Sequence, residues 1–111
     1  MKTNKLWAVA GASVGWGPAT VKYLLSREQI VIAFACDGKC PASLDEISSA
    51  NLTITPISVL ETTDADRCLR ELTDRLGPIH TLVDNVDNIA LVRLILPYMC
   101  PEHGRVIVTP R

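Results

Sequence analysis

No apolar run in this 111-residue chain approaches the roughly 18 residues that a membrane-spanning helix requires. Charge of one sign is also missing: 11 Lys and Arg stand against 12 Asp and Glu, interleaved, for a formal net charge of −1. That balance excludes a nucleic-acid-binding stripe and a polybasic membrane patch. Cysteine and histidine are few and scattered. Cys36, Cys40, Cys68 and Cys100 form no C-x-x-C, and His80 and His103 show no zinc spacing, so no metal site is expected. Unpaired, mostly buried thiols in a cytoplasmic protein are the expectation. Lys2 and Lys5 flank the start of an apolar stretch of only about seven residues, at the lower limit for a secretion signal, and that stretch reads as a first strand. No internal repeat, low-complexity segment or linker divides the chain, so residues 1–111 are expected to form one domain.

What is present is enough apolar residue, 48%, to bury a core. It is distributed in two alternating patterns. Short, continuously apolar runs read as strands buried on both faces: Leu6–Ala10, Ile30–Ala35, LTITPISV from Leu52 with Pro56 as its weak point, Ile79–Val83 and Arg105–Thr109. Between them lie segments of helical spacing. Pro18 suits a first helical turn, and Val21, Leu24 and Leu25 follow on one face. Ser43 and Glu46 match a capping box before a short helix near Leu44–Ala50. Thr63 or Asp64 caps a helix to Leu76, striped by Ala65, Cys68, Leu69, Leu72 and Leu76 and closed by Gly77-Pro78. Asp66–Arg70 and Glu71–Arg75 are spaced as i,i+4 pairs on its other side. NIALVRLILPYM, from Asn88 to Met99, reads as a fourth helix.

Alternation of strand and helix implies an α/β fold: a three-layer sandwich around a parallel five-stranded sheet, with right-handed crossovers and strand order 3-2-1-4-5. In such a sheet the ligand crevice lies beyond the carboxyl ends of strands one and four, where the order reverses. The stretch GASVGWG, Gly11 to Gly17, falls there. The first turn of a helix carries unpaired N–H groups and a partial positive charge, which stabilise a phosphate. Gly11 permits a sharp turn, Gly15 lets a ligand approach the backbone, Gly17 lets helix and sheet pack closely, and Ser13 adds a hydroxyl. A glycine-rich turn also serves where only a positive φ is needed. Placement between a first strand and a first helix favours the phosphate cradle.

GASVGWG resembles the Gly-x-x-x-Gly-x-Gly cofactor loop of the short-chain dehydrogenase/reductase (SDR) family. LGPIHTLVDNVD is similar to that family's segment ending in Asn-Asn-Ala-Gly after strand four, and LILPYM…GRVIVT to the approach to its fifth strand. The resemblance spans nearly all of this chain but only the N-terminal, cofactor-binding half of the family's domain, so the chain reads as a truncated member. It implies a Rossmann-like fold, an NAD or NADP cofactor, and hydride transfer between alcohols and ketones. Carried over by position, the cofactor contacts are Gly11, Ser13, Val14, Gly15, Trp16 and Gly17 in the loop, Asp37 after strand two, Val59 after strand three and Asn85 after strand four. Trp16 replaces a smaller aliphatic residue and either packs under the helix or crowds the pyrophosphate. Asp37 stands just past the family's ribose-binding position. It either bonds a ribose, which slightly favours NAD, or is an ordinary turn aspartate before Gly38.

Departures from the family pattern point to weak binding. Asp84-Asn85-Val86-Asp87 keeps only Asn85 of the Asn-Asn-Ala-Gly segment. At ~6 Å and an effective dielectric of about 20 to 80, a carboxylate such as Asp87 facing a phosphate costs roughly 1–3 kcal/mol. The family's catalytic serine, tyrosine and lysine lie beyond strand five, the last two as Tyr-x-x-x-Lys. Here the fourth residue after Tyr23 is Arg27, and after Tyr98 it is Glu102. Asn88 is a partial echo of the family's helix-four asparagine. No catalytic residue is assigned, and no oxidoreductase activity is expected of the chain alone. Strand five, left uncovered, is expected to draw a second copy or another chain, through its edge or through the fourth helix. Two alternatives stay open: part of an oxidoreductase whose catalytic half lies on another segment or chain, and an interaction module with a degenerate cofactor site.

Overall fold

The computed structural model describes residues 5–12, 16–35, 49–56, 58, 60, 62–85 and 89–108. Five strands, β1 (Leu6–Ala10), β2 (Ile30–Ala35), β3 (Leu52–Pro56), β4 (Thr81–Asp84) and β5 (Arg105–Val108), form a parallel sheet in the order β3-β2-β1-β4-β5. This is the expected order. Around the sheet lie α1 (Gly17–Ser26), α2 (Ala65–Leu76) and α3 (Ile89–Ile95), the last running into a short 3-10 helix over Leu96–Tyr98. The expected helix near Leu44–Ala50 falls largely outside the described residues, where the capping pair Ser43 and Glu46 also lie.

β1 and β2 are apolar throughout because both faces are covered. On one face Ala8, Ala10, Ile32, Phe34 and Leu82 pack with Leu69 and Leu72 of α2 and with Leu91, Val92 and Ile95 of α3. On the other, Val9, Val31, Ala33 and Val83 pack with Val21 and Leu24 of α1. The result is the helix–sheet–helix layering that the alternation of apolar runs implies. β5 differs: all four of its residues are exposed, with Val106 37%, Ile107 46% and Val108 55% accessible. Among the described residues no helix is long and apolar enough to cross a membrane.

Local chemistry shifts several boundaries. β3 covers the first five residues of the expected run and ends at Pro56, since proline has no N–H to continue a ladder. β4 begins at Thr81, with Ile79 making an isolated parallel bridge to Met99 before it. The fourth expected helix is α-helical only to Ile95; Pro97 cannot donate, and the chain tightens into 3-10 geometry. Asp64 stands at the N-cap of α2 without a side-chain capping bond. Its carboxylate lies 3.3 Å from Arg67, and its N–H donates to Thr62 Oγ1 at 3.2 Å. Asp66 takes the Tyr98 hydroxyl, which joins α2 to the 3-10 helix.

The end of α1 sets the register of β1 against β2. Gln29 N–H donates to Leu24 O and Glu28 N–H to Leu25 O, both at 3.0 Å, the bond pair of a Schellman stop. Gln29 Oε1 then accepts from Lys5 N–H (3.1 Å) and from Trp7 Nε1 (3.2 Å). The stop places Glu28 at φ 62, where glycine is the usual residue. Glu28→Gly is therefore expected to raise the unfolding free energy by about 1 kcal/mol. Urea titration would show this as a higher midpoint at constant slope; a lowered midpoint would mean that the carboxylate's own contacts outweigh the backbone strain.

Candidate functional site

β1 connects onward to β2 on one side, while β4 flanks it on the other, so the sheet's order reverses between β1 and β4. The residues leaving β1 are held from both neighbours. Gly11 N–H and Ala12 N–H both donate to Phe34 O at the end of β2, each at 3.0 Å. From β4's side, Asn85 N–H donates to Ala10 O at 3.0 Å and Asn85 Nδ2 to Gly11 O at 3.1 Å. Gly11 has φ 76, a conformation that a side chain would strain.

Gly17 opens α1 directly above this turn. A Cβ placed on it would stand 2.4 Å from Gly11 O and 2.6 Å from the Ala12 carbonyl, closer than any real contact. The missing side chain is what lets the helix start against the end of β1. Among the described residues, the first bond of the helix is Thr20 N–H to Trp16 O at 2.9 Å, doubled by Thr20 Oγ1 at 2.8 Å. The N–H groups of Gly17 and Ala19 precede that bond, and Pro18 has none to donate. Two amides of the first turn thus lie at the positive end of the helix dipole.

Of the residues marked by sequence, Gly11, Trp16, Gly17 and Asn85 come together around this turn. Ser13, Val14, Gly15, Asp37 and Val59 lie outside the described residues, as do Asp87 and Asn88. Trp16 is 65% exposed, so it does not pack under the helix. Asn85 has a bracing role that the sequence did not disclose: its side-chain amide holds the Gly11 carbonyl. Asp84 is a second residue of this junction that the sequence pattern does not mark. Paired in register with Ala10 and 3% exposed, it buries a carboxylate at the carboxyl end of β4. An apolar strand closing on an acid was its only signal.

The groups that could serve catalysis lie apart from the turn or are tuned against reactivity. The Tyr98 hydroxyl is held above its ordinary pKa, chiefly by its bond to the Asp66 carboxylate and then by burial; an acid/base tyrosine needs the opposite shift. Burial, reinforced by Glu71, pushes the Cys68 thiol up and makes it a poor nucleophile. His80 sits at the amino end of the sheet, its N–H bonded to Leu6 O. Among the described residues no cluster of His, Cys, Asp or Glu could hold a metal ion.

No protein-family model matches the chain, and no curated protein matches it in sequence. Solved structures do. A short-chain dehydrogenase from Streptomyces avermitilis superposes with a TM-score of 0.75 at 21% identity, over 96% of this chain and 49% of that one. A short-chain dehydrogenase/reductase from Saccharomyces cerevisiae gives 0.66 at 20% identity, over 96% of this chain and 53% of that one. A short-chain dehydrogenase from Leptospira borgpetersenii, with NAD+ bound, gives 0.63 at 15% identity, over 86% and 44%. The fold is thus that of the SDR proteins, and the chain spans about half the length of these structures.

The geometry predicts unequal effects at the turn. Gly17→Ala drives a methyl into two backbone carbonyls and is expected to cost about 1–3 kcal/mol or more. Asn85→Asp replaces the donor to Gly11 O with a second acceptor, at about 1–3 kcal/mol. Equilibrium denaturation measures both. Wild-type stability in Gly17→Ala would show that α1 does not start against β1.

Proposed function

We propose that this chain, over residues 1–111, is an SDR-like dinucleotide-binding domain. It binds NAD or NADP weakly at the Gly11–Gly17 turn and carries out no oxidoreduction on its own. The observation that carries the reading is the contact between Gly17 and the Gly11 carbonyl, which opens a helix N-terminus at the reversal point of a parallel sheet. The NAD+ bound to the Leptospira protein of the same fold supports the choice of ligand. The described residues fit such a guest. Gly17 and Ala19 have N–H groups ahead of the first helical bond, Asn85 fixes the turn, and the Trp16 indole is accessible beside it. Ser13, Val14, Gly15 and Val59 complete the proposed contacts by sequence, and Asp37 on the ribose would favour NAD slightly. When bound, the nicotinamide would supply a hydride donor or acceptor; the residues named here only bind and orient it.

Weak affinity follows from charge. Asp84 buries a carboxylate beside the turn, Asp87 adds another by sequence, and Pro18 removes one amide donor. The cysteine usage supports a reducing, cytoplasmic setting, with Cys68 and Cys100 both unpaired.

The exposed β5 favours a second element of the reading, association through its edge or through α3 into a homo-oligomer, or with a chain that supplies a catalytic half. Arg105 N–H donates to His80 O, so by alternation the N–H groups of Val106 and Val108 point to the open edge. Light scattering is expected to report a dimer that Val106→Pro dissociates without unfolding the sheet, since that proline removes an outward donor only. A monomer at high concentration would refute it.

Titration with NAD+, NADH, NADP+ and NADPH, followed by calorimetry and tryptophan fluorescence, tests the binding. Saturation in the high micromolar to millimolar range is expected. Trp16→Phe should abolish most of the fluorescence change and keep the heat. Asp87→Asn should tighten binding by roughly tenfold, the weight of one like-charge contact. No saturable heat with any of the four would reject the reading.

A further inference from the structure

The two histidines of the chain stand at the end of the sheet opposite the glycine turn. There the amino ends of β1, β4 and β5 meet. His80 N–H donates to Leu6 O at 2.8 Å, and His80 O accepts from Arg105 N–H at 3.0 Å, so its backbone is fixed between β1 and β5. Its ring is fixed as well, with Nδ1 2.9 Å from Thr81 Oγ1; Nε2 is the nitrogen outside that bond. A cleft of about 590 Å³ opens at this end, a size suited to a small organic molecule.

The lining has a definite chemistry. Lys5, His80, His103 and Arg105 bring nitrogen groups from three separate stretches of chain, against one carboxylate, Glu102. Trp7 and Ile107 give it an apolar wall, and the register places Trp7, Thr81 and Arg105 in one row across three strands. The indole is held in place, since Trp7 Nε1 donates to Gln29 Oε1 at 3.2 Å. A wall and a ring that are already positioned lower the ordering cost of binding. The imidazole of His80 is held below its ordinary pKa, by burial first and then by the positive charges of Lys5, Arg105 and His103. Lys5, Arg105 and His103 thus share the lining with His80, and Glu102 is the carboxylate among the lining residues.

We propose that this cleft is a second ligand site, for a small carboxylate with an aromatic or aliphatic body. The apolar body lies against Trp7 and Ile107, and the anionic end is held by Lys5, Arg105 and His80. Glu102 leaves the lining a modest positive excess, which suits a monoanion. The site uses side chains at the amino ends of the strands, whereas the nucleotide reading uses backbone at the carboxyl ends, so neither rests on the other.

Benzoate is the probe, and the Trp16→Phe chain is the background, which leaves Trp7 as the sole tryptophan. Saturable quenching of Trp7 by benzoate at pH 6 to 7 is expected. Arg105→Gln and Lys5→Gln should each weaken it roughly tenfold, the loss of one charge-assisted contact. Both residues are exposed, and circular dichroism checks that the fold is kept. Inorganic phosphate should compete only weakly, because it lacks the apolar body. Millimolar NAD+ should not displace benzoate.

Binding should also be linked to protonation of His80. Its free pKa lies below the ordinary value, and a bound carboxylate raises it. Affinity is then highest below the free value and falls as pH rises through the window between the free and bound values. His80→Gln should flatten this profile, while His103→Gln keeps it; the groups of the cleft that could also titrate are Lys5, Cys100, Glu102 and His103. Linear, non-saturating quenching would overturn the proposal. So would displacement by NAD+, equal affinity in both charge variants, or a pH profile that survives His80→Gln.

Discussion

The start of α1 lies against the end of β1 so closely that no side chain fits between them, and the placement of everything around the turn depends on that approach. The carbonyl of Gly11 is at the centre. It faces the position that a Gly17 Cβ would occupy and also accepts from the Asn85 side chain. One backbone atom thereby ties β1, α1 and the exit of β4 together. The two amides donated to Phe34 O add β2 to the same junction. Because each partner is on a different element, the turn cannot move without disturbing the order in which four elements pack. The positive φ of Gly11 is the local strain that this junction requires, and glycine removes it.

A parallel sheet has two chemically different ends, and this chain furnishes them differently. At the carboxyl ends the described polar groups around the turn are mostly backbone, joined by the Asn85 side-chain amide and the buried Asp84 carboxylate. At the amino ends they are side chains: Lys5, His80, His103 and Arg105 around the Trp7 indole. The Schellman stop of α1 serves the second end as the glycine turn serves the first. Through Gln29 it fixes both the backbone at Lys5 and the indole of Trp7. The helix that opens against one end of β1 therefore closes by bracing the other. α1 is short, but it fixes the position of β1 along its whole length.

The order of strands was legible because alternating strands and helices, joined by right-handed crossovers, leave few arrangements of a parallel sheet. Apolar runs such as Ile30–Ala35, short for helices and unbroken by polar residues, read as strands covered on both sides. β1 and β2 accordingly have the expected limits. Boundaries failed where a single bond outweighed the pattern. Pro56 closed β3 and Pro97 turned α3 into 3-10 geometry, whereas α2 kept its expected limits, with Asp64 at the N-cap and its carboxylate on Arg67. In the site, Gly11 and Gly17 were legible because their spacing between strand and helix has few physical explanations. The bracing by Asn85 was not, since it joins residues 74 apart in sequence and no local pattern encodes that. Burial of Asp84 was hidden for the same reason: it depends on what covers β4. The amino-end cleft was invisible too, because Lys5, His80 and Arg105 come from separate strand starts that only the sheet's register aligns.

The glycine spacing has two consequences that separate on physical grounds. Close packing at Gly17 is needed by the fold whether or not a ligand binds, since the 2.4 Å approach exists between protein atoms alone. Affinity for an anion depends instead on what surrounds the turn: how many amides precede the first helical bond, and how much negative charge lies near them. Here Pro18 has no N–H to offer in the first turn, and Asp84 sets a buried carboxylate at the neighbouring strand end. The glycines that the architecture demands therefore say nothing by themselves about the strength of a hold on a phosphate. The junction at Gly11 and Gly17 is made by protein atoms alone, so the packing it supports is the same with or without a guest.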